Sequence, residues 1–208
     1  MKKIIQLALI ISLFAFHSTL IKSAEKIVHT TYEQTTADLG KQLRSAAARN
    51  DLTEASDLLL IPGIDVNDQN NISRWTALHL AAYHGHTTLA KLLLDNGASV
   101  NIQSSWESTP LHVAAFNNRT TSVTLLLQHG ADLTIQDDNG NIALHKAILG
   151  KSQECFKVLL KHNSPITLKN HNGDTALHVA VACNALPFVQ LLLDTYEQPS
   201  VHLEKRAK

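Results

Sequence analysis

The stretch TALHLAAYHGH, residues 76–86, combines a threonine, a leucine, a histidine, two adjacent alanines and a Gly-His pair. Its first four letters return as TPLH at 109–112, IALH at 142–145 and TALH at 175–178. The starting positions 76, 109, 142 and 175 are each separated by 33 residues. A constant step of this length predicts a linear array of similar units.

A second motif keeps the same step along the chain. KLLLDNGASVN begins at Lys91, TLLLQHGADLT at Thr124 and KVLLKHNSPIT at Lys157, and the leucines of VQLLLD, from Val189, follow in register. Two different motifs that hold one period through four copies indicate a repeat architecture.

Each unit is typical of two short helices joined by a tight bend. Thr76 is placed to cap the first helix, and Gly85 and Gly97 are placed to end the first and second helices. The apolar stripes have helical spacing: they comprise Leu78, Ala81 and Ala82 in the first helix and Leu89, Leu92 and Leu93 in the second. Because one unit alone leaves an apolar flank exposed, the units must stack.

The T-P-L-H motif with following alanines at a 33-residue step resembles the ankyrin repeat, from about Lys41 to Tyr196. The resemblance implies an all-α ankyrin-repeat solenoid, with paired antiparallel helices joined by hairpin-like loops. It also implies a concave face, lined by the first helices and the loop tips, that binds another protein. The motif histidines are then expected to be scaffold residues that form hydrogen bonds within and between repeats: His79, His112, His145 and His178.

The expected domain organisation follows from these motifs and from the ends of the chain. It comprises a signal peptide (1–24), a linker (25–39), a degenerate N-terminal repeat (40–70), full repeats at 73–102, 106–135 and 139–168, a C-terminal capping repeat (172–196) and a polar tail (197–208). The unit at 73–102 is called here the first full repeat, and the capping repeat is the fourth.

The third full repeat departs from the pattern. Ile142 replaces the capping threonine, and Lys151 and Asn163 stand where Gly85 and Gly97 end the helices of the first full repeat. Asn141 could shift the cap by one residue. These changes indicate either drift in a tolerant repeat or a softer joint in the array.

The N-terminus is typical of a secretory signal, with two lysines, a 13-residue apolar run over 4–16, and small residues near Ala24. The run is short for a membrane span, which needs about 20 residues. We therefore expect export, to a periplasm, to the outside or into a host cell. The alternative is an uncleaved signal anchor that holds the array at a membrane as a scaffold.

Composition and motifs limit the other function classes. Lys plus Arg and Asp plus Glu both number 18, and this balance argues against a broad electrostatic grip on nucleic acid or an anionic membrane. The chain has no G-x-S-x-G, phosphate-loop, H-E-x-x-H or C-x-x-C motif. We thus expect no catalysis and no cofactor. His84 and His86 supply two ligands, too few for a specific metal site. Cys155 and Cys183 could pair after export, but their helical context favours two small apolar residues packed among helices.

The resemblance also marks outward-facing positions, which include the two residues after the alanine pair and three loop-tip residues, one of them directly before each Thr slot. Both tryptophans of the chain fall in this set, although only 5% of residues are aromatic. We predict a partner-binding patch with aromatic residues at its centre, formed by Trp75, Tyr83, His84, Trp106, Phe116 and Asn117. The alternative is that the rings pack on neighbouring loops and shield the hairpins. The protein is expected to act as a monomer on a protein partner.

Overall fold

A computed structural model describes residues 38–197 of the chain. The predicted signal peptide, the linker up to residue 37 and the tail from residue 198 lie outside the described residues. All regular secondary structure in the described part is α-helical, which confirms the predicted fold class. The helices are α1 (38–49), α2 (Leu52–Leu59), α3 (Ala77–His84), α4 (Thr87–Asp95), α5 (Pro110–Phe116), α6 (Thr120–Gln128), α7 (Ala143–Leu149), α8 (Gln153–Lys161), α9 (Ala176–Ala182) and α10 (Leu186–Glu197).

The helices stack in two rows. The first helices of the full repeats, α3, α5, α7 and α9, pack against one another in order, and the second helices, α4, α6, α8 and α10, form a parallel row. Alanines fill the inner row, and the leucine at one equivalent position of each second helix is completely buried in the outer row: Leu93, Leu126, Leu159 and Leu192. Small side chains in the inner row let the helices approach closely.

Two of the four motif histidines, His79 and His112, join consecutive repeats, as predicted, whereas His178 is exposed and bonds only to Thr175 of its own repeat. The backbone N–H of Thr76 donates to Nδ1 of His79 (3.3 Å), and Nε2 of His79 donates to the carbonyl of Ser108 in the next repeat (3.0 Å). His112 repeats this arrangement, with Nε2 2.9 Å from the carbonyl of Asn141. Each of these rings therefore fixes the start of its own helix and the loop of the next repeat.

The third repeat lacks part of this linkage. Ile142 provides no side-chain cap, although its N–H still donates to Nδ1 of His145 (3.3 Å). Nε2 of His145 is buried and interacts with the carbonyl of Asp174 in the fourth repeat, but without standard hydrogen-bond geometry. The suggested shift of the cap to Asn141 is wrong, since the helix begins at Ala143 and the Asn141 N–H donates to Asp137 (2.8 Å).

The bends after the helices keep their geometry without glycine in the third repeat. Gly85 and Gly97 have φ of 79° and 87°, and Lys151 and Asn163 adopt left-handed conformations with φ of 54° and 61° at the equivalent positions. These two non-glycine residues carry some backbone strain, which the stacked helices hold in place.

The loop tips of successive repeats are connected by backbone hydrogen bonds. They run from Ser105 N–H to the Ser73 carbonyl (2.9 Å), from Asp138 N–H to the Trp106 carbonyl (3.1 Å) and from His171 N–H to the Asn139 carbonyl (3.0 Å). These bonds set the positions of the loop side chains on the face that the first helices also line.

The two cysteines have different environments, and neither is in a disulfide. Cys155 is buried, as predicted. The expectation that Cys183 packs among helices is wrong: it directly follows α9, where Val181 and Ala182 are also exposed. Within residues 38–197, no helix combines the length and hydropathy that are needed to cross a bilayer.

Candidate partner-binding cleft

A cleft of about 370 Å³ opens on the face formed by the loop tips and by α3, α5 and α7. It is called the aromatic cleft below. Three successive full repeats contribute its lining, which consists of Trp75, Tyr83, Trp106, Ser108, His112, Val113, Phe116, Asn117, Asp138, Asn139 and Lys146. Five of the six predicted site residues therefore come together at one place.

Three aromatic rings of the cleft are open to solvent. Trp106 is 51% exposed, Phe116 44% and Tyr83 40%. Tyr83 and Phe116 project from the ends of α3 and α5, and Trp106 projects from a loop tip. Neighbouring repeats thus present these rings side by side.

Trp75 has a mixed role. Its ring is half-buried, stacks on His79 at a centroid distance of 5.9 Å, and contacts Tyr83 at 5.6 Å. Its indole Nε1 is buried without a hydrogen-bond partner. Trp75 therefore both lines the cleft and shields the helix start beneath it, so the patch and packing interpretations each describe part of this residue.

The predicted site residue His84 lies beside the cleft and does not line it. Its ring meets Tyr83 edge-on at 4.9 Å and stacks on His86 at 5.2 Å. Partial burial, with the positive charges of His86 and Arg119, lowers the pKa of His84. Within the described residues, no group of three or more potential ligands could hold a metal ion.

An ion pair that the sequence did not reveal lies at the other end of the cleft. Lys146 Nζ is 3.1 Å from Oδ2 of Asp137, which is 1% exposed. The other oxygen of Asp137 accepts the backbone N–H groups of Asn139 and Asn141. Lys146 Nζ also lies 5.6 Å from the centroid of the Phe116 ring. The one signal for this arrangement was a lysine at a position where other repeats have an apolar residue.

Some positions that we expected to face outward are buried. Ser108 and Asn141 stand directly before the Thr slot, but their carbonyls accept hydrogen bonds from His79 and His112. This slot therefore belongs to the joint between repeats, and two of its residues, Trp75 and Ser108, also line the cleft.

His112 forms part of the cleft floor. Burial lowers its pKa to about 4, so the ring is neutral near pH 7. It contributes a fixed surface without adding positive charge to the cleft.

Comparison with known proteins assigns the chain to a family. The model of the ankyrin-repeat family, which describes three copies, matches residues 43–137 and 131–202. The chain belongs to the ankyrin-repeat family, whose members are generally non-catalytic modules that bind other proteins.

Two curated relatives carry the same repeats. Ankyrin repeat domain-containing protein 40 of Mus musculus and that of Homo sapiens are each 37% identical to this chain over 70 residues. The match covers 34% of this chain and 19% of each relative, so the chain spans about a fifth of the relatives' length.

Proposed function

We propose that this protein is an exported, non-catalytic binding module that holds a segment of a partner protein in the aromatic cleft. One observation carries the proposal: three solvent-exposed rings from two successive repeats line the same cleft. Exposed aromatic groups that cluster on one face usually mark interaction sites. Tyr and Trp supply large contact areas at a small cost in conformational entropy.

The size of the cleft limits what it can bind. Its volume of about 370 Å³ is near the lower end of ordinary ligand pockets, which measure about 300–1,000 Å³. A space of this size takes one or two side chains of a partner. The cleft therefore serves as the anchor, and the adjoining loop tips form the polar rim.

The test is crosslinked affinity capture of partners from the native source, with a double variant that removes two open rings, Trp106→Ala and Phe116→Ala. We expect the captured partner to bind the double variant at least ~30-fold more weakly, as for the loss of hot-spot residues. Trp75 is left unchanged because its ring stacks on His79, and its removal could disturb the fold.

Tyr196→Ala is the matched control, because Tyr196 is an exposed aromatic residue on α10, away from the cleft lining. It should capture the partner as well as the unchanged chain does. Equal capture by the double variant, with an unchanged far-UV circular dichroism spectrum, would contradict the proposed role of the cleft.

Export is supported by the lysine-led apolar run at the N-terminus. Mass spectrometry of the protein from its native source tests this part of the proposal. Loss of the first 23 or 24 residues supports a secreted or periplasmic protein. An intact N-terminus in the membrane fraction supports the tethered scaffold instead.

A further inference from the structure

We propose that the occupant of the aromatic cleft is a basic segment of the partner protein, with an arginine side chain inserted among the rings. This inference rests on the proposed function, because it specifies the chemistry of what binds at the same site. It draws on the charges and on the ring faces of the cleft.

The charges around the cleft leave one carboxylate without a cationic partner. Lys146 pairs with the buried Asp137, and these two charges neutralise each other. Asp138 is exposed on the cleft lining, and the ion pairs within residues 38–197 do not include it. His112 is neutral near pH 7. Around Asp138 the cleft is therefore negatively charged, which favours a cation. The positive charge of Arg119 lies beside Tyr83, where its Nε donates to the Tyr83 carbonyl (2.9 Å).

The position of Asp138 is fixed relative to the most exposed ring. Its backbone N–H donates to the Trp106 carbonyl (3.1 Å), so the two loop tips are held together. Its Oδ1 accepts a hydrogen bond from Asn139 Nδ2 (2.7 Å). A cation that packs on Trp106 thus has a carboxylate on the adjoining loop tip.

The ring faces favour the same charge. Aromatic faces carry negative electrostatic potential and attract cations, with Trp the strongest. The cleft already shows this preference, because Lys146 lies over the Phe116 ring. The open face of Trp106 is available to a second cation from the partner.

Arginine fits the cleft better than lysine does. Its planar guanidinium can stack on Trp106 and, by its edge, bind a carboxylate through two parallel hydrogen bonds. An acidic segment would meet both Asp138 and the negative ring faces. A purely apolar segment would gain ring contacts but would leave the charge of Asp138 unmatched.

The experiment uses a phage-displayed library of random linear 12-residue peptides, selected on the full chain. Clones that also bind the Trp106→Ala, Phe116→Ala variant are removed, so the remaining peptides depend on the cleft. We expect these peptides to share an arginine. Replacement of that arginine by citrulline, which keeps the shape and removes the charge, should weaken binding at least ~10-fold.

A charge-neutral variant tests Asp138 directly. We expect Asp138→Asn to weaken binding of the selected peptides about 5- to 10-fold and to reduce the salt dependence of the dissociation constant. Asp57→Asn is the control, because Asp57 is an exposed carboxylate on α2, away from the cleft lining.

The outcomes separate this inference from the proposed function. Cleft-dependent peptides without a shared arginine would overturn the inference and leave the proposed function in place. Equal affinity for the unchanged chain and for Asp138→Asn would also overturn the inference alone. Failure to recover any cleft-dependent peptide would overturn both.

Discussion

At the scale of single residues, histidine is the residue that connects the sequence motif to the fold. His79 and His112 are buried, and each accepts a backbone N–H at one ring nitrogen and donates to the next repeat from the other. Only a neutral ring can do both, because a protonated ring has no acceptor. Burial lowers the pKa of both residues from 6.5 to about 4.

These low pKa values predict that the fold loses stability in mild acid. Between pH 6.5 and 4, His79 and His112 take up protons in the unfolded chain but remain neutral in the folded one. The free energy of unfolding therefore falls as the pH drops through this window, by up to about 1.4 kcal/mol per pH unit for each histidine. Above pH 6.5 the two residues cause no further change. Urea denaturation at pH 7.5, 6.5 and 5.5 measures the effect.

NMR provides the residue-level check of that prediction. The imidazole C–H shifts of His79 and His112 should stay constant from pH 7.5 to 5.5 in the folded protein. A midpoint near 6.5 for either residue would contradict the assigned role, because a ring that protonates so easily cannot be the acceptor in a buried joint.

Ile142 shows why a missing cap need not be a defect. Its side chain is fully buried and forms no cap hydrogen bond. Ile142→Thr would restore a cap worth about 1 kcal/mol. It would also remove two buried carbon atoms worth about 0.8 kcal/mol each, with a further loss for the cavity. We expect a net decrease in the free energy of unfolding of about 1 kcal/mol, measured by urea denaturation.

The matched comparison is Thr109→Val, which removes the cap oxygen of the second full repeat and keeps the shape of the side chain. It should lower the free energy of unfolding by about 1 kcal/mol. A stabilised Ile142→Thr protein would show that burial contributes less than capping at this position.

At the scale of elements, the joint between the third and fourth full repeats differs from the others. Nε2 of His145 faces the Asp174 carbonyl of the fourth repeat without standard hydrogen-bond geometry, so the buried link of the inner row is weaker there. In the outer row, Phe156 of α8 and Phe188 of α10 pack edge-to-face at 5.0 Å. This aromatic pair therefore contributes to the attachment of the fourth repeat.

Phe188→Ala should release that repeat locally. Loss of a buried phenylalanine costs about 3–5 kcal/mol, and the fourth repeat has a neighbour on one side among the described helices. We expect hydrogen exchange to accelerate in α9 and α10 and to remain slow in α3 and α5. Phe116→Ala, which removes an exposed ring, is the control and should leave exchange in α9 and α10 unchanged. Uniformly faster exchange through all repeats would contradict a local joint.

The sequence predicted the elements well because each one depends on local chemistry. Thr76, Gly85 and Gly97 mark helix boundaries by capping and by backbone conformation. The 33-residue period then places the helices of the other full repeats. The third repeat kept its bends because the stacked helices hold Lys151 and Asn163 in the left-handed conformation.

The cleft was less predictable, since its geometry depends on contacts across repeats. The repeat pattern placed the open rings correctly, but Trp75 turned out to be half-buried on His79 and His84 lies to one side. The Asp137–Lys146 pair joins a loop to a helix, and no motif spacing encodes it. Ser108 is buried because its carbonyl accepts a hydrogen bond from His79 of the preceding repeat.

At the scale of the whole molecule, the main packing contacts between the described full repeats join neighbours in sequence. In such an array, stability is approximately the sum of the repeats and of the interfaces between them. The effect of a substitution on stability therefore depends on the repeat in which it lies. A central repeat has two interfaces to lose, whereas the fourth repeat meets a described repeat on one side only.

One leucine position allows this dependence to be measured with a single type of substitution. Leu93, Leu126, Leu159 and Leu192 are equivalent and completely buried. Each Leu→Ala change removes the same atoms, at a cost of about 2–5 kcal/mol. We expect Leu126→Ala to lower the urea midpoint of the whole array in one transition, because an unfolded central repeat leaves the flanks of both neighbours uncovered. Leu192→Ala should instead give an early transition confined to α9 and α10, with the remaining repeats unfolding near the original midpoint.

Two spectroscopic probes distinguish a single transition of the whole array from an early transition confined to α9 and α10. Far-UV circular dichroism reports all helices, and tryptophan fluorescence reports the first two full repeats, because both tryptophans of the chain lie at the aromatic cleft. For Leu126→Ala the two curves should coincide. For Leu192→Ala the circular dichroism curve should begin to fall before the fluorescence changes. Coincident curves for both variants would mean that the array unfolds as one cooperative unit, and that the His145 joint is as strong as the joints made by His79 and His112.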